Sequence, residues 1–393
     1  RRGRVAALLA GFAVISTPAL ADDLREALVL AYNTNPSLQA ARAQQRAVDE
    51  TVPIAKSAAL PSLSGAASYT ELVKQSTPTV ASPERVFGAS ASFGLPIYAG
   101  GGIKNSIRAA KTRVEAGQAD LRGAETGVFS AVVASYMDVI LAEAVVKLNR
   151  SNVGVLEVNL QATQDRFEIG DLTRTDVAQS QAHHSLAKGQ TRNAEANLIA
   201  ARERYIQVVG KAPVDLQAPP ALPGLPGSVE EAMTIALDSN PDLIAARQRS
   251  KAAGFDSDAA GAGRLPRISV FTGADYTDYL GTNGGPASAV TRQGLTSATA
   301  GVRATIPLFQ GGLPAAQKRQ AQAREGATLE QEIAIEREVI ASVRAAYASW
   351  SASSEIIAST QSAVDAAALS LEGVRAENTV GNRTILEILN AEQ

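Results

Sequence analysis

The amino-acid sequence predicts a mainly α-helical protein with a small β part, built from a duplicated unit of β-hairpin plus long antiparallel helical hairpin. Three observations carry that expectation. First, the stretch Leu24 to Val48 returns as Val229 to Ala253, with Asn35-Pro36 matching Asn240-Pro241 at an offset of 205 residues. Later landmarks return at an offset of 211: Leu95-Pro96-Ile97-Tyr98 as Ile306-Pro307-Leu308-Phe309, Tyr136 as Tyr347, and Gly170-Asp171 as Gly381-Asn382. A unit present twice describes a pseudo-symmetric object. Second, no proline occurs between Pro96 and Pro213 or after Pro314. In the first of these gaps Phe129, Val132, Tyr136, Val139 and Ile140 recur at the spacing of a helix that buries one stripe. Third, Phe87, Ala89, Ala91, Phe93, Leu95 and Ile97 alternate strictly with Gly88, Ser90, Ser92, Gly94 and Pro96, the period of a strand.

Taken in order, residues 1–21 read as a secretory signal peptide: arginines at the start, an apolar run from Val5 to Ile15, and Ala19-Leu20-Ala21 before the cleavage point. The run is too short to span a bilayer, so the mature chain is exported. The first repeat, 22–211, holds an opening helix, a β-hairpin over 62–97 and a helical hairpin over 103–209. A helix from about Ile103 to Phe167 would be a rod of about 95 Å at 1.5 Å per residue. It stops at Gly170-Asp171, and a second helix runs back from about Thr173. A Pro-rich crossover, 212–228, carries five prolines between Pro213 and Ser228. The second repeat, 229–393, holds a helix, a β-hairpin over 267–309 and a helical hairpin from Pro314, a favoured first-turn residue. There Ala298, Ala300, Val302, Ala304, Ile306 and Leu308 alternate with Thr299, Gly301, Arg303, Thr305 and Pro307. This copy ends about thirty residues before the equivalent of Lys211, so the sequence reads as truncated at its C-terminus.

Composition removes several function classes. There is no cysteine, hence no disulfide, no thiol chemistry and no thiolate metal site. Without residues 1–21 the chain carries 34 basic and 39 acidic residues, which argues against a nucleic-acid partner. His183 and His184 are adjacent on a helix and diverge, whereas a helical metal site wants the i, i+4 spacing. No phosphate loop, nucleophile elbow or dinucleotide fingerprint is present, and the glycines at 100–102 read as a strand-to-helix turn matched by Gly311-Gly312. Neither an enzyme nor a cofactor is expected.

Four strands with one apolar and one small or polar face fit a transmembrane β-barrel; a soluble sandwich lobe shows the same pattern. Four strands cannot close a barrel, and an open edge in lipid leaves backbone groups unsatisfied. Other copies must complete the sheet, and a ring of protomers would cover the one-sided helical hairpins as well. Two other classes compete: a periplasmic adaptor has one helical hairpin per chain where this sequence has two, and an exported coiled-coil scaffold leaves the alternating strands unexplained.

The duplicated Asn-Pro helix, the Leu60-Pro61 and Leu95-Pro96-Ile97-Tyr98 landmarks followed by glycines, the Pro-rich middle and the paired tips resemble the TolC-like outer-membrane efflux and secretion channels. The resemblance covers Asp22 to Gln393 and implies a homotrimer with a twelve-stranded barrel in the Gram-negative outer membrane and a helical barrel in the periplasm. It implies a duct that passes proteins or small toxic molecules outward. The implied partners are a periplasmic adaptor protein, docking at tips formed by Gly170, Asp171, Gly381 and Asn382, and an inner-membrane transporter, either an ABC or a proton-driven pump. It places a closing latch at Thr175, Asp176 and Arg383, with Asn378 where the family pattern has a tyrosine; solvated helix ends are the plainer reading of the same residues. Glu387 stands at one of two acidic constriction positions and Asn390 replaces the other. One ring of carboxylates in place of two implies weaker block by polyvalent cations.

Overall fold

A computed structural model describes residues 23–74, 83–220, 222–282, 292–380 and 382–392. The proposed signal peptide and Gly381 lie outside the described residues. The chain runs α1 (Leu24–Thr34), α2 (Pro36–Asp49), α3 (Thr51–Ser57), β1 (Ser62–Glu71), β2 (Arg85–Ala99), α4 (Gly102–Glu168) and α5 (Arg174–Val209), and then repeats the order with one helix in place of α2 and α3. The second pass is α6 (Val229–Ser239), α7 (Pro241–Gly261), β3 (Arg267–Asp278), β4 (Gly294–Thr305), α8 (Leu313–Thr379) and α9 (Ile385–Glu392). The long helices α4 and α8 each run 67 residues without a break.

The Asn-Pro pair that marks the duplication has a local cause. Proline disfavours helical backbone in the residue before it, and Asn35 and Asn240 both sit extended, at ψ 122°, closing one helix and opening the next. The Asn240 side chain accepts from the backbone N–H of Asp242 and Leu243 at 3.0 and 3.1 Å, while Pro241 takes the first helical position, where no N–H is needed. The Asn35 side-chain amide donates to the Val208 carbonyl at 2.9 Å, tying the start of α2 to the end of α5.

The structure divides into two compact units that cut across the sequence repeats, each drawing segments from both copies. One unit comprises residues 1–36, 125–225 and 354–393. Its core is Ala27 and Ala31 of α1, Val132, Tyr136 and Val139 of α4, and Tyr205 and Val209 of α5. Small alanines let the helices approach, and the tyrosine rings fill the gap with centroids 6.3 Å apart. The Tyr136 hydroxyl donates to the Gln217 carbonyl at 2.7 Å and accepts from the Gln217 N–H at 3.1 Å, pinning the Pro-rich crossover to α4.

The other unit comprises residues 37–124 and 226–353 and contains one antiparallel sheet in the order β1-β2-β3-β4. Register places Leu63, Phe93, Thr272 and Ala300 on one face and Ser64, Ser92, Gly273 and Thr299 on the other. Pro96 has no N–H for the ladder, and the pairing slips between Pro96 and Tyr98, a β-bulge. One sequence expectation is corrected here. The alternation through Leu308 does not continue as strand, because β4 ends at Thr305, opposite Arg267, where its partner strand begins. The inner strand β2 reaches Ala99 because β3 still pairs with it there. In the helical part of this unit Leu38 of α2, Ala109 and Ala116 of α4, and Leu243, Ala245 and Ala246 of α7 are buried. Arg249 of α7 closes on both carboxylate oxygens of Asp120 at 2.7 and 2.5 Å.

Candidate functional site at the helix tips

The tip between α4 and α5 is built by the helix-termination chemistry that its sequence demands. Gly170 adopts φ +82°, a conformation that side-chain-bearing residues resist. It lets the Asp171 N–H reach back to the Arg166 carbonyl at 2.9 Å and the Gly170 N–H to Phe167 at 3.0 Å, satisfying carbonyls the helix leaves open. The Arg166 guanidinium then binds the Asp171 carboxylate at 2.7 Å across the turn. Two residues on, Thr173 caps α5. Its hydroxyl accepts from the Asp176 N–H at 3.3 Å, and the Asp176 carboxylate accepts from the Thr173 N–H and hydroxyl at 2.9 and 2.7 Å. These bonds, the one from the backbone first, hold the Asp176 carboxyl below the usual aspartate range.

The second tip repeats the backbone and changes the charges. The Asn382 N–H reaches the Glu377 carbonyl at 3.0 Å, the counterpart of the Asp171 to Arg166 bond 211 residues earlier. Glu377 replaces Arg166, and its partner is Arg383, whose Nε donates at 2.6 Å. Arg383 also faces Glu387 one turn into α9 at 3.5 Å. The two carboxylates, Glu377 above all, push the guanidinium further toward its charged form. The Asn378 side-chain amide donates to the Arg383 carbonyl at 2.7 Å.

Among the residues assigned to a latch from the sequence, Asn378 and Arg383 thus meet, and Arg383 meets the constriction residue Glu387. Asp176 is bonded to Thr173 in its own turn, and Thr175 and Asn390 are exposed. A further residue was missed. The Glu392 side chain is only 4% exposed, although the residue ends the last described turn of α9. It accepts from Arg375 of α8 at 2.7 Å and from the side-chain amide of Asn159 of α4, so three helices meet on one carboxylate. Beside it Leu389 packs against Leu156 and Ala187. A glutamate at the repeat equivalent of Gln181 carries no signal in sequence, because both partners lie on other helices.

With two matched tips, two long helices and a four-stranded antiparallel sheet in place, comparison with known proteins becomes informative. The Outer membrane efflux protein family matches residues 27–211 and 232–393, both sequence repeats. The chain belongs to the outer membrane efflux protein family. The outer membrane efflux protein BepC of Brucella suis biovar 1 is 33% identical over 389 residues, covering 98% of this chain and 82% of BepC. The outer membrane protein TolC of Vibrio cholerae serotype O1 is 26% identical over 389 residues, covering 97% and 86%. In the fold, the crystal structure of CusC superposes with a TM-score of 0.79 at 19% identity, covering 94% of this chain and 85% of CusC. Membership assigns this outer membrane efflux protein to the Gram-negative outer membrane as an exit duct, and sets aside the adaptor reading. TolC-family channels are trimeric and work with an adaptor and an inner-membrane pump.

Proposed function

We propose that this chain is one subunit of a homotrimeric exit duct, with twelve strands closing a barrel in the outer membrane and the helical hairpins lining a periplasmic tunnel gated at their tips. The observation that carries the gate is Arg383, bonded at once to Glu377 on the tip turn and to Glu387 on the helix behind it. Three converging copies would set three Glu387 carboxylates around the pore, each partly neutralised by its own Arg383. Such a ring favours cations. Asn390 supplies no second ring, which supports weaker block by polyvalent cations. Thr175 and Asp176, with Arg383 and Asn378, form the latch, and opening exchanges these contacts as the helices untwist. Gly170, Asp171, Gly381 and Asn382 present the tips to a periplasmic adaptor joined to an ABC or proton-driven transporter. The likeness to BepC, an efflux protein by name, and to AprF, an alkaline protease secretion protein by name, supports efflux and secretion alike.

Planar-bilayer conductance of the full-length channel tests this. Glu387→Gln should move the reversal potential in a KCl gradient toward zero, and Arg383→Ala should raise both conductance and cation preference. An unchanged reversal potential in Glu387→Gln would place the constriction elsewhere.

A further inference from the structure

The polar face of the sheet is made almost wholly of small residues. Along β1 and β2 it reads Ser62, Ser64, Ala66, Ser68, then Gly88, Ser90, Ser92 and Gly94. Among its bulkier residues, which include Leu295 opposite Thr277, one pair is stacked. The Arg303 guanidinium of β4 lies 4.7 Å above the centre of the Phe271 ring of β3, on this same face. The ring lies flat across the neighbouring strand because residue 301 is glycine: a Cβ there would stand 3.1 Å from Cζ and 3.2 Å from Cε1 of Phe271. Gly301, Phe271 and Arg303 therefore form one layered construction, backbone under ring under cation. Arg267 shares this face two residues from Ser269, the register partner of Arg303. The remaining charge of the face, Asp275, lies six residues further along β3.

The opposite face carries Leu63, Phe87, Phe93, Leu95, Val270 and Val302 and must meet lipid, so the Arg303 face lines the barrel lumen. Lumen residues are free to be small and polar, and a stacked guanidinium is not needed to fill space in a wide pore. Stacking takes the flat side of the guanidinium and leaves its N–H edge available for ligands. We infer that Arg303, propped on Phe271 over Gly301 and reinforced by Arg267, forms an anion-recognising collar at the helix-proximal end of the barrel lumen, contacting carboxylate, sulfonate or phosphate groups of solutes in transit. The inference rests on the exit-duct reading.

The test titrates 1,3,6,8-pyrenetetrasulfonate, a rigid polyanion, onto the purified full-length channel and follows fluorescence anisotropy, with bilayer conductance measured in parallel. Arg303→Gln should weaken binding roughly tenfold, as expected for loss of a charge-assisted contact. Arg303→Lys should keep part of it, and Phe271→Ala should weaken binding while leaving the charge in place. Equal binding by wild type and Arg303→Gln, in protein that still conducts ions, overturns the collar. Absence of conductance in the wild type overturns the duct reading and the collar with it.

Discussion

At the scale of single residues, the tip is governed by a few side chains whose bonds are local. Thr173 and Asp176 cap α5 reciprocally, and loss of such a cap costs about 1 kcal/mol. Thr173→Ala should therefore speed hydrogen exchange of the first-turn amides of α5 severalfold, leaving amides near Tyr205 unchanged. Protonating Asp176 should act similarly. Its folded pKa is depressed, so its stabilisation is complete above the unfolded value of about 3.9 and is lost as pH falls through the lower folded value. Exchange corrected for intrinsic rate should show tip protection intact at pH 6 and failing below about 4; protection constant down to pH 2 would refute the assignment. Glu392 makes a contrast. Arg375→Ala would leave a buried carboxylate with one partner, costing about 1.5–3 kcal/mol, and should loosen α9 from α4 by the same exchange measurement. The start of α5 near Thr173 was legible in sequence. The Glu392 contacts were not, since nothing local distinguishes that residue from the solvated glutamates of α8.

At the scale of elements, helix length and turn position follow from proline and glycine alone. Predicted over 103 to 167 and ending at Gly170-Asp171, the first long helix is found over Gly102–Glu168 with Gly170 at φ +82°. The strand ends were less legible. Alternation continues to Leu308, but a strand exists only while a neighbour offers hydrogen bonds, and β3 offers none beyond Arg267. The Tyr136 hydroxyl ties the crossover to α4. Tyr136→Phe would leave the N–H and carbonyl of Gln217 without that partner, a loss of about 1–3 kcal/mol if water does not replace it. Limited proteolysis should then cut the crossover between Pro213 and Pro226 faster, with the ends of α4 unaffected. Tyr347, the repeat partner of Tyr136, donates instead to Gly227 at 3.2 Å. Duplication thus preserves the use of a tyrosine hydroxyl to hold the Pro-rich segment while moving its attachment point.

At the scale of the whole molecule, the sheet decides where the chain resides. β1 and β4 are edges within one chain, and in a bilayer their free backbone groups must pair with other copies. Neighbouring residues of β2 test the assigned faces. Ala91 lies on the apolar face between Gly65 and Ala274, and Ser92 on the polar face between Ser64 and Gly273. Ala91→Arg should cost about 2–4 kcal/mol near the bilayer midplane and reduce heat-modifiable oligomer in outer-membrane fractions. Ser92→Arg should assemble normally and lower single-channel conductance. Equal tolerance of both would mean that neither face meets lipid. α4 also contains a stretch long and apolar enough to cross a membrane by composition. Its buried stripe, Val132, Tyr136 and Val139, packs against α1 and α5, while Val133, Met137, Leu141 and Val145 of the same helix remain exposed in the single chain.

By itself the sequence determined the duplication, the two long helices, the paired tips and the two-faced strands, because each rests on local chemistry: proline and glycine placement and periods of two and 3.6 residues. From these the channel class followed. Only the tertiary structure decided which charges meet. Glu392 turns to Arg375 and Asn159, and Arg303 to the face of Phe271. These choices depend on chain segments brought together by helix packing and strand register, with distances of a few ångströms settling partners that sequence spacing leaves open.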